Sequence, residues 1–368
     1  MLKWILGTIG LIIITVTSML FSDSFGESPK GTRLEKIKNS PQYGKGKFVN
    51  AIETKTVEPG KIFSMMNDYL FNGADHKIPG ENFPILPIDK TIFENSPSQD
   101  FRYIWLGHST IILEVEGTRL LIDPVFSERV SPFQWSGPKR FYDSPIALED
   151  LPEIDAVIIS HDHYDHLDHL SIVELAKRDM PFLAPLGVGA HLEKWGVKPD
   201  QVKEFDWWQE TMIGDVKLVC TPARHFSGRG ILDRDKTLWA SWTILGKHKK
   251  IYYSGDSGIT EQFKEIGDQF GPFDFTIMQI GAYNKNWHDI HLFPEEAIDA
   301  QEMLKGEVLI PVHWGTFDLA LHSWYDPVDR LIKAAAPKNM TLSFPKVGEV
   351  LEVDNLVKPE PWWKNVDN

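Results

Sequence analysis

The chain has 368 residues, 42% of them apolar and 24% charged, which argues for a sizeable core and against global disorder. Its formal net charge of −14 argues against a nucleic-acid backbone as the main partner, since that surface is bound through clustered Lys and Arg; an anionic substrate held by metal stays open. Cys220 is the sole cysteine, which excludes an intrachain disulfide and a CxxC metal site.

Lys3 precedes a nearly uncharged stretch, residues 5–21, that ends at the polar Ser22-Asp23-Ser24. At about 17 residues it lies between a signal-peptide core and the shortest spanning helix. Residues 1–22 therefore read as a membrane anchor or signal segment, implying membrane association or export to the cell envelope. A buried N-terminal helix is the alternative. Charge does not fix an orientation, because Lys3 stands before the stretch and Lys30, Arg33, Lys36 and Lys38 stand after it.

Residues 23–60 are polar, without a sustained period, and read as a linker that docks in part. Residues 61–100 combine a helical pattern at 63–70 with extended chain around Pro79, Pro84, Pro87 and Pro97, and read as an extension docking on the core. From Phe101 the texture changes. Residues 103–115 read as strand, bend, strand around Gly107-His108-Ser109, and 118–125 as a further strand. The apolar run Ala156-Val157-Ile158-Ile159 leads straight into a histidine cluster, followed by a helix at 170–177.

Further strands are expected at 181–184, 216–220, 238–245, 250–254, 274–280 and 307–312. Cys220, closing the second of these (Val216-Lys217-Leu218-Val219-Cys220), reads as a small buried hydrophobe rather than a nucleophile. Helices are expected at 187–195, 260–267, 294–304 and 326–335. Pro294-Glu295-Glu296 suits a helix start, because proline fits the first turn and carboxylates fit the positive dipole end. Alternation of this kind implies a layered α/β domain over 101–350, with 351–368 as a C-terminal tail.

The chemistry concentrates in His161-Asp162-His163-Tyr164-Asp165-His166. Three imidazoles and two carboxylates cannot share a core uncompensated, but at a strand end they can converge on cations. Imidazole nitrogen and carboxylate oxygen suit zinc and related divalent ions. Three more donors follow apolar strands downstream: His225 after Cys220, Asp256 after Tyr253 and His313 after Ile310. A lone histidine at a strand end is usually a packing residue; four such segments together are a far stronger signal.

The motif resembles the HxHxDH signature of the metallo-β-lactamase superfamily. That resemblance implies an αββα sandwich preceded by the N-terminal apolar segment, and two divalent metal ions, zinc by default. It places His161, His163 and His225 on one ion, Asp165, His166 and His313 on the other, and Asp256 between them, with Asp162 outside the ligand set. Asp123, in Leu120-Leu121-Ile122-Asp123-Pro124, would accept the far N–H of a ligand histidine; a turn-forming aspartate is the plainer reading. Such ions bring the pKa of a bound water toward neutrality, so that a metal-held hydroxide does the cutting.

A closer resemblance, over roughly 95–330, is to the N-acylphosphatidylethanolamine-hydrolysing phospholipase D family. It is carried by Trp105-Leu106-Gly107-His108-Ser109-Thr110, Ile122-Asp123-Pro124-Val125-Phe126-Ser127, Gly137-Pro138-Lys139-Arg140-Phe141, Asp206-Trp207-Trp208 and His313-Trp314-Gly315-Thr316-Phe317. It implies a phospholipid substrate, cleaved to phosphatidic acid and an N-acylethanolamine. Catalytic roles fall on Asp165, Asp256 and His291, the last matching the family's substrate-side histidine before Pro294-Glu295-Glu296. The segments Arg224-His225-Phe226-Ser227-Gly228-Arg229 and 283–287 depart from the family's wording. A lactonase or other ester hydrolase, and a non-catalytic metal-binding envelope protein, are the alternative functions. His108 reads as a residue behind the ligands or on the pocket wall. Phe133 and Trp135 read as a packed or a lipid-facing loop, and Lys139 and Arg140 as headgroup contacts or a solvated turn. His76, His169, His191, His248, His288 and His322 read as surface or packing residues.

Overall fold

The computed structural model describes residues 22–56, 67, 74–97, 100–230 and 232–367. The expected membrane segment, up to residue 21, and all of the expected helix at 63–70 except Asn67 lie outside them. No helix among the described residues is long and apolar enough to cross a membrane.

A short hairpin, β1 (Tyr43–Gly44) and β2 (Lys47–Phe48), precedes the body. The body begins with β3 (Phe101–Gly107), β4 (Thr110–Val115), β5 (Thr118–Ile122), β6 (Ala156–Ile158), β7 (Phe182–Pro185) and β8 (Val202–Phe205). It continues with β9 (Glu210–Ile213), β10 (Val216–Thr221), β11 (Ser241–Leu245), β12 (Lys250–Tyr253), β13 (Phe273–Gln279) and β14 (Gly306–Val312). Two short strands, β15 (Thr341–Leu342) and β16 (Val350–Glu352), close it. These form two seven-stranded sheets, ordered β16-β3-β4-β5-β6-β7-β8 and β15-β14-β13-β12-β11-β10-β9. Each sheet is antiparallel at one side and parallel at the other.

Side-chain alternation places the layers. On β3, Phe101, Tyr103 and Trp105 point between the sheets, where Phe101 meets Phe275 with ring centres 4.3 Å apart. Ile104 and Leu106 point the other way, into a second core shared with Ile172, Leu175 and Leu192 of the helices His169–Leu175 and Gly189–Lys194. The far face of the second sheet is covered by helices Gln262–Phe270, Pro294–Leu304 and Asp326–Ala335. Because helices cover both outer faces, the strands read as continuous apolar runs rather than alternating ones. The result is the expected αββα sandwich.

Residues 22–56 lie on this body. Arg33 pairs with Glu193 and Glu204 at 2.7 Å each, and the Trp195 indole donates to the Asp23 carbonyl at 2.7 Å. The polarity of this stretch thus serves fixed contacts. The C-terminal tail also packs: Trp362 and Trp363 are buried, and Trp363 stands edge-on to Phe344.

The last strand is tied in by charge. Arg102 on β3 is 2% exposed and donates to Glu114 on β4 at 2.5 Å and to Glu352 on β16 at 2.9 Å. Arg119 is the other partner of Glu114. Removing one member of a buried, hydrogen-bonded ion network leaves charge without compensation. We therefore expect Arg102→Ala to cost about 3 kcal/mol of stability, read as a lower urea midpoint; an unchanged midpoint would show that β16 adds nothing to the sheet.

Candidate metal centre

Six strand ends converge at one edge of the sandwich. The β3–β4 turn presents His108, β5 ends at Asp123, and β6 runs through Ser160 into His161. Across from them, β10 leads to His225, β12 to Asp256 and β14 to His313. The 161–167 loop is held from below by Arg229, whose Nη1 donates to the carbonyls of Asp162 (2.6 Å) and Leu167 (2.7 Å). Asp162 turns away from the cluster, accepting from the Gly228 amide at 2.8 Å and the Thr237 hydroxyl at 2.7 Å.

Donor atoms gather in overlapping groups. In the first, His163 Nδ1 lies 2.9 Å from His161 Nε2 and 3.2 Å from His225 Nε2. Tetrahedral coordination with metal–nitrogen bonds of about 2.0–2.1 Å places neighbouring donors about 3.3 Å apart, so this spacing suits one shared cation. In the second, Asp165 Oδ2 lies 3.2 Å from His313 Nε2 and 3.6 Å from His166 Nε2. Asp256 Oδ2 reaches both groups: it is 3.3 Å from His166, 3.2 Å from His313, 3.9 Å from His161 and 3.8 Å from His225. All seven residues singled out as ligands in the sequence therefore stand together. His291 joins them, its Nδ1 3.8 Å from Asp256 Oδ2 and within a third donor group with His225.

The residues fit cations on a further observation. Asp256 Oδ1, His166 Nε2, His313 Nε2 and His291 Nδ1 are buried and have no hydrogen-bond partner among the described residues. Buried polar atoms are rarely left this way without something to bind. The charges say the same. Burial works against ionisation of Asp165 and Asp256, yet His166 and neighbouring imidazoles hold both carboxyls well below their usual range. Burial likewise opposes a charge on His166, but Asp256 and Asp165 carry its pKa well above the usual value. Carboxylates and imidazoles thus compensate one another here, a task that a divalent cation performs when bound. His161 and His225 go the other way, pushed far down by burial, and burial takes His291 down to about 4.

Ligand orientation comes from residues behind the cluster. His166 Nδ1 donates to Asp123 Oδ2 at 2.7 Å, leaving Nε2 facing the site. Asp123 is fixed in turn by the Ser160 amide (2.7 Å), the Ser160 hydroxyl (2.5 Å) and the Tyr253 hydroxyl (2.5 Å). His225 Nδ1 donates to the Ile290 carbonyl at 2.8 Å. His108 Nε2 lies 2.9 Å from Asp165 Oδ2. Gly281 abuts the His313 carbonyl so closely that an added Cβ would lie 1.9 Å from it, which excludes any side chain there.

Sequence reasoning missed three supports. Ser160 and Tyr253 flank the ligands but are ordinary strand residues in the sequence. Asn50 gave no signal within a polar stretch, yet its amide donates to the His225 carbonyl (2.7 Å) and accepts from the His225 amide (3.0 Å). Arg140 differs from both readings made for it: it is buried, donates to the Val125 carbonyl at 2.9 Å and lies over the Phe317 ring. Among the histidines read as packing residues, His191 is buried beside Trp195, with Nε2 3.5 Å from Asp162.

The donor groups floor a cavity of about 270 Å³ whose walls are Phe226, Arg234, Trp287, Ile290, His291 and Leu319. A groove of about 460 Å³, bounded by residues 47–54, adjoins it and shares Thr56, Phe226 and Arg234.

Two sheets, flanking helices and histidine–aspartate donors at their edge define a metallo-β-lactamase-fold hydrolase, a class that works with divalent metal ions. Residues 118–314 match the β-lactamase superfamily domain, and the chain belongs to that family. It is 43% identical over 335 residues to an uncharacterized protein of Mycobacterium tuberculosis, covering 88% of both chains. It is 32% identical to N-acyl-phosphatidylethanolamine-hydrolyzing phospholipase D 1 of Caenorhabditis elegans, over 67% of this chain and 76% of that one. Among solved structures it resembles Igni18, a metallo hydrolase of Ignicoccus hospitalis, with a TM-score of 0.52 and 23% identity over 68% of this chain and 97% of that one.

Asp123 is the clearest test of the support layer. Asp123→Asn removes the charged acceptor behind His166, and partners of this type typically contribute 10- to 100-fold to metal affinity. We expect a loss of about that size in competition against a chelator; unaltered affinity would mean that the His166–Asp123 contact orients nothing.

Proposed function

We propose that the protein is a metal-dependent phosphodiesterase of the phospholipase D type, cleaving N-acylphosphatidylethanolamine-like lipids to phosphatidic acid and an N-acylethanolamine. The reading is carried by one observation: two donor groups share the Asp256 carboxylate on the floor of a cavity whose walls are mainly apolar and whose rim holds Arg234. Apolar walls suit aliphatic chain, and a guanidinium suits a phosphate oxygen. Kinship with the nematode phospholipase supports the same substrate class. The apolar stretch at residues 5–21 supports placement at a membrane, where such lipids reside.

In this reading His161, His163 and His225 would hold one ion and Asp165, His166 and His313 the second, with Asp256 contributing to both; the donor types favour zinc. When bound, the ions supply Lewis acidity, lowering the pKa of water and taking charge from phosphoryl oxygens. The protein's own groups do the rest. Asp165 and Asp256 orient the attacking water from the cavity floor. Water adds to phosphorus, the bond from phosphorus to the ethanolamine oxygen breaks, and the proton released by water passes by way of a carboxylate to the departing oxygen. His291, on the cavity wall 3.8 Å from Asp256, is placed to hydrogen-bond that oxygen. Phe226, Trp287 and Leu319 exclude bulk water around it.

Purified, metal-loaded protein should release N-acylethanolamine and phosphatidic acid from N-acylphosphatidylethanolamine, stop when chelated and recover with zinc. Lactone turnover with no phosphodiester cleavage would sink the substrate assignment. Asp256→Asn should drop metal content toward one ion per chain and collapse turnover; full occupancy with full activity would contradict the bridging role.

A further inference from the structure

Three segments far apart in sequence meet where the described chain begins. The Ser24 hydroxyl donates to the Pro132 carbonyl at 2.7 Å, and Arg229 Nε donates to the Ser24 carbonyl at 2.9 Å. Phe25 then stands edge-on to Phe133, ring centres 6.1 Å apart, and Phe133 stacks on Trp135 at 5.5 Å. On its other side Phe25 lies against Gly230, beside the tip of the 228–235 loop. Trp135 is 68% exposed and Leu232 is 90% exposed, the most exposed large hydrophobics of the described residues. Core packing explains neither side chain. Arg229, buried beneath the patch with its guanidinium over Tyr164 and Trp195, makes the three segments a fixed platform.

Two features say what covers this platform. Ser22 and Asp23, at its border, directly follow the apolar stretch at residues 5–21. A membrane segment there would bring the bilayer surface close to this face. The loop that presents Leu232 also supplies Arg234 to the metal cavity, and Phe226 just before the loop lines it too, so the platform adjoins the cavity mouth. An exposed tryptophan beside aliphatic and phenyl groups is the side-chain chemistry that partitions into the headgroup–acyl boundary. We propose that Phe25, Phe133, Trp135 and Leu232 form the surface by which the protein lies on a lipid bilayer, with the mouth of the metal cavity at the membrane interface. The inference rests on the membrane placement given above and is independent of which lipid is cut. A lipid substrate held this way enters from the bilayer plane without passing through water.

Cys220 is the only cysteine and is buried, so one introduced thiol can be labelled selectively. The full chain carrying an environment-sensitive fluorophore at Leu232→Cys or Trp135→Cys is reconstituted in phosphatidylcholine vesicles containing nitroxide lipid. The comparison label sits at Lys264→Cys, on an exposed position of the opposite outer layer. Labels at 232 and 135 should be quenched severalfold more than the label at 264. Equal, weak quenching at all three positions in vesicle-bound protein would overturn the proposal. So would a label at 232 that is already shielded from water before vesicles are added, since residues 5–21 or a second copy of the chain would then occupy the patch. Protein that stays off vesicles altogether would refute the membrane placement itself, while leaving the phosphodiesterase assay to stand or fall separately.

Discussion

The structure depends on a way of burying negative charge. Asp123, Asp165 and Asp256 sit at the junction of two sheets, with Asp256 almost fully withdrawn from water. An isolated carboxylate in such a place is not tolerable. Each therefore faces imidazoles, and the imidazoles are themselves set by hydrogen bonds to Asp123 or to the Ile290 carbonyl. The fold is the means of bringing these groups from separate strands to one point, and the point is stable only as a set. The donors are accordingly arranged in groups that share members, with the Asp256 carboxylate within reach of both.

Convergence has a conformational cost at the turns. His108, Asp123 and His313 all adopt positive φ, at 51°, 40° and 66°, a region that residues with a side chain rarely occupy. Each costs on the order of 1–3 kcal/mol and persists only where surroundings dictate it. The surroundings are identifiable. The His313 amide donates to the His108 carbonyl at 2.9 Å, which locks two of the three together. Behind them Trp314 stacks on Trp105 and meets Trp362 from the C-terminal tail. Residues near the end of the chain thus hold a site whose groups come from its middle.

Much of this was legible in the sequence because the periodicity was strong and the ligands follow strands. The helices at 294–304 and 326–335 fall where the pattern places them, the first through Pro294 and the Glu296 side chain that accepts from the Phe293 amide. Strands β8 and β9 escaped because they are partly exposed and carry Lys203, Glu204, Glu210 and Thr211. Sheet-edge strands of this kind lack the apolar run that identifies a strand buried on both faces. The ligand residues were legible by type and spacing, whereas Asn50, Ser160 and Arg229 were not. Asn50 and Arg229 act through backbone atoms of distant segments and Ser160 through the Asp123 carboxylate, and nothing in local composition encodes such contacts. The polar stretch at 23–60 reads in sequence as a linker that docks in part, but the partners that hold it, such as Glu193 and Glu204 for Arg33, are too distant in the chain to be read there.

The pairing of β16 with β3 has a consequence for how the molecule comes into being. Leu351 lies opposite Tyr103, so the first strand of this sheet to be synthesised waits for one of the last stretches of chain to be made. Contacts of such long sequence separation form slowly, because loop closure must be achieved before any pairing energy is gained. Until then the edge of β3 at Arg102, Tyr103 and Ile104 stays unpaired and open to a neighbouring strand. Synthesis that stalls before residue 350 leaves that edge bare, where a strand of another unfinished chain can pair with it.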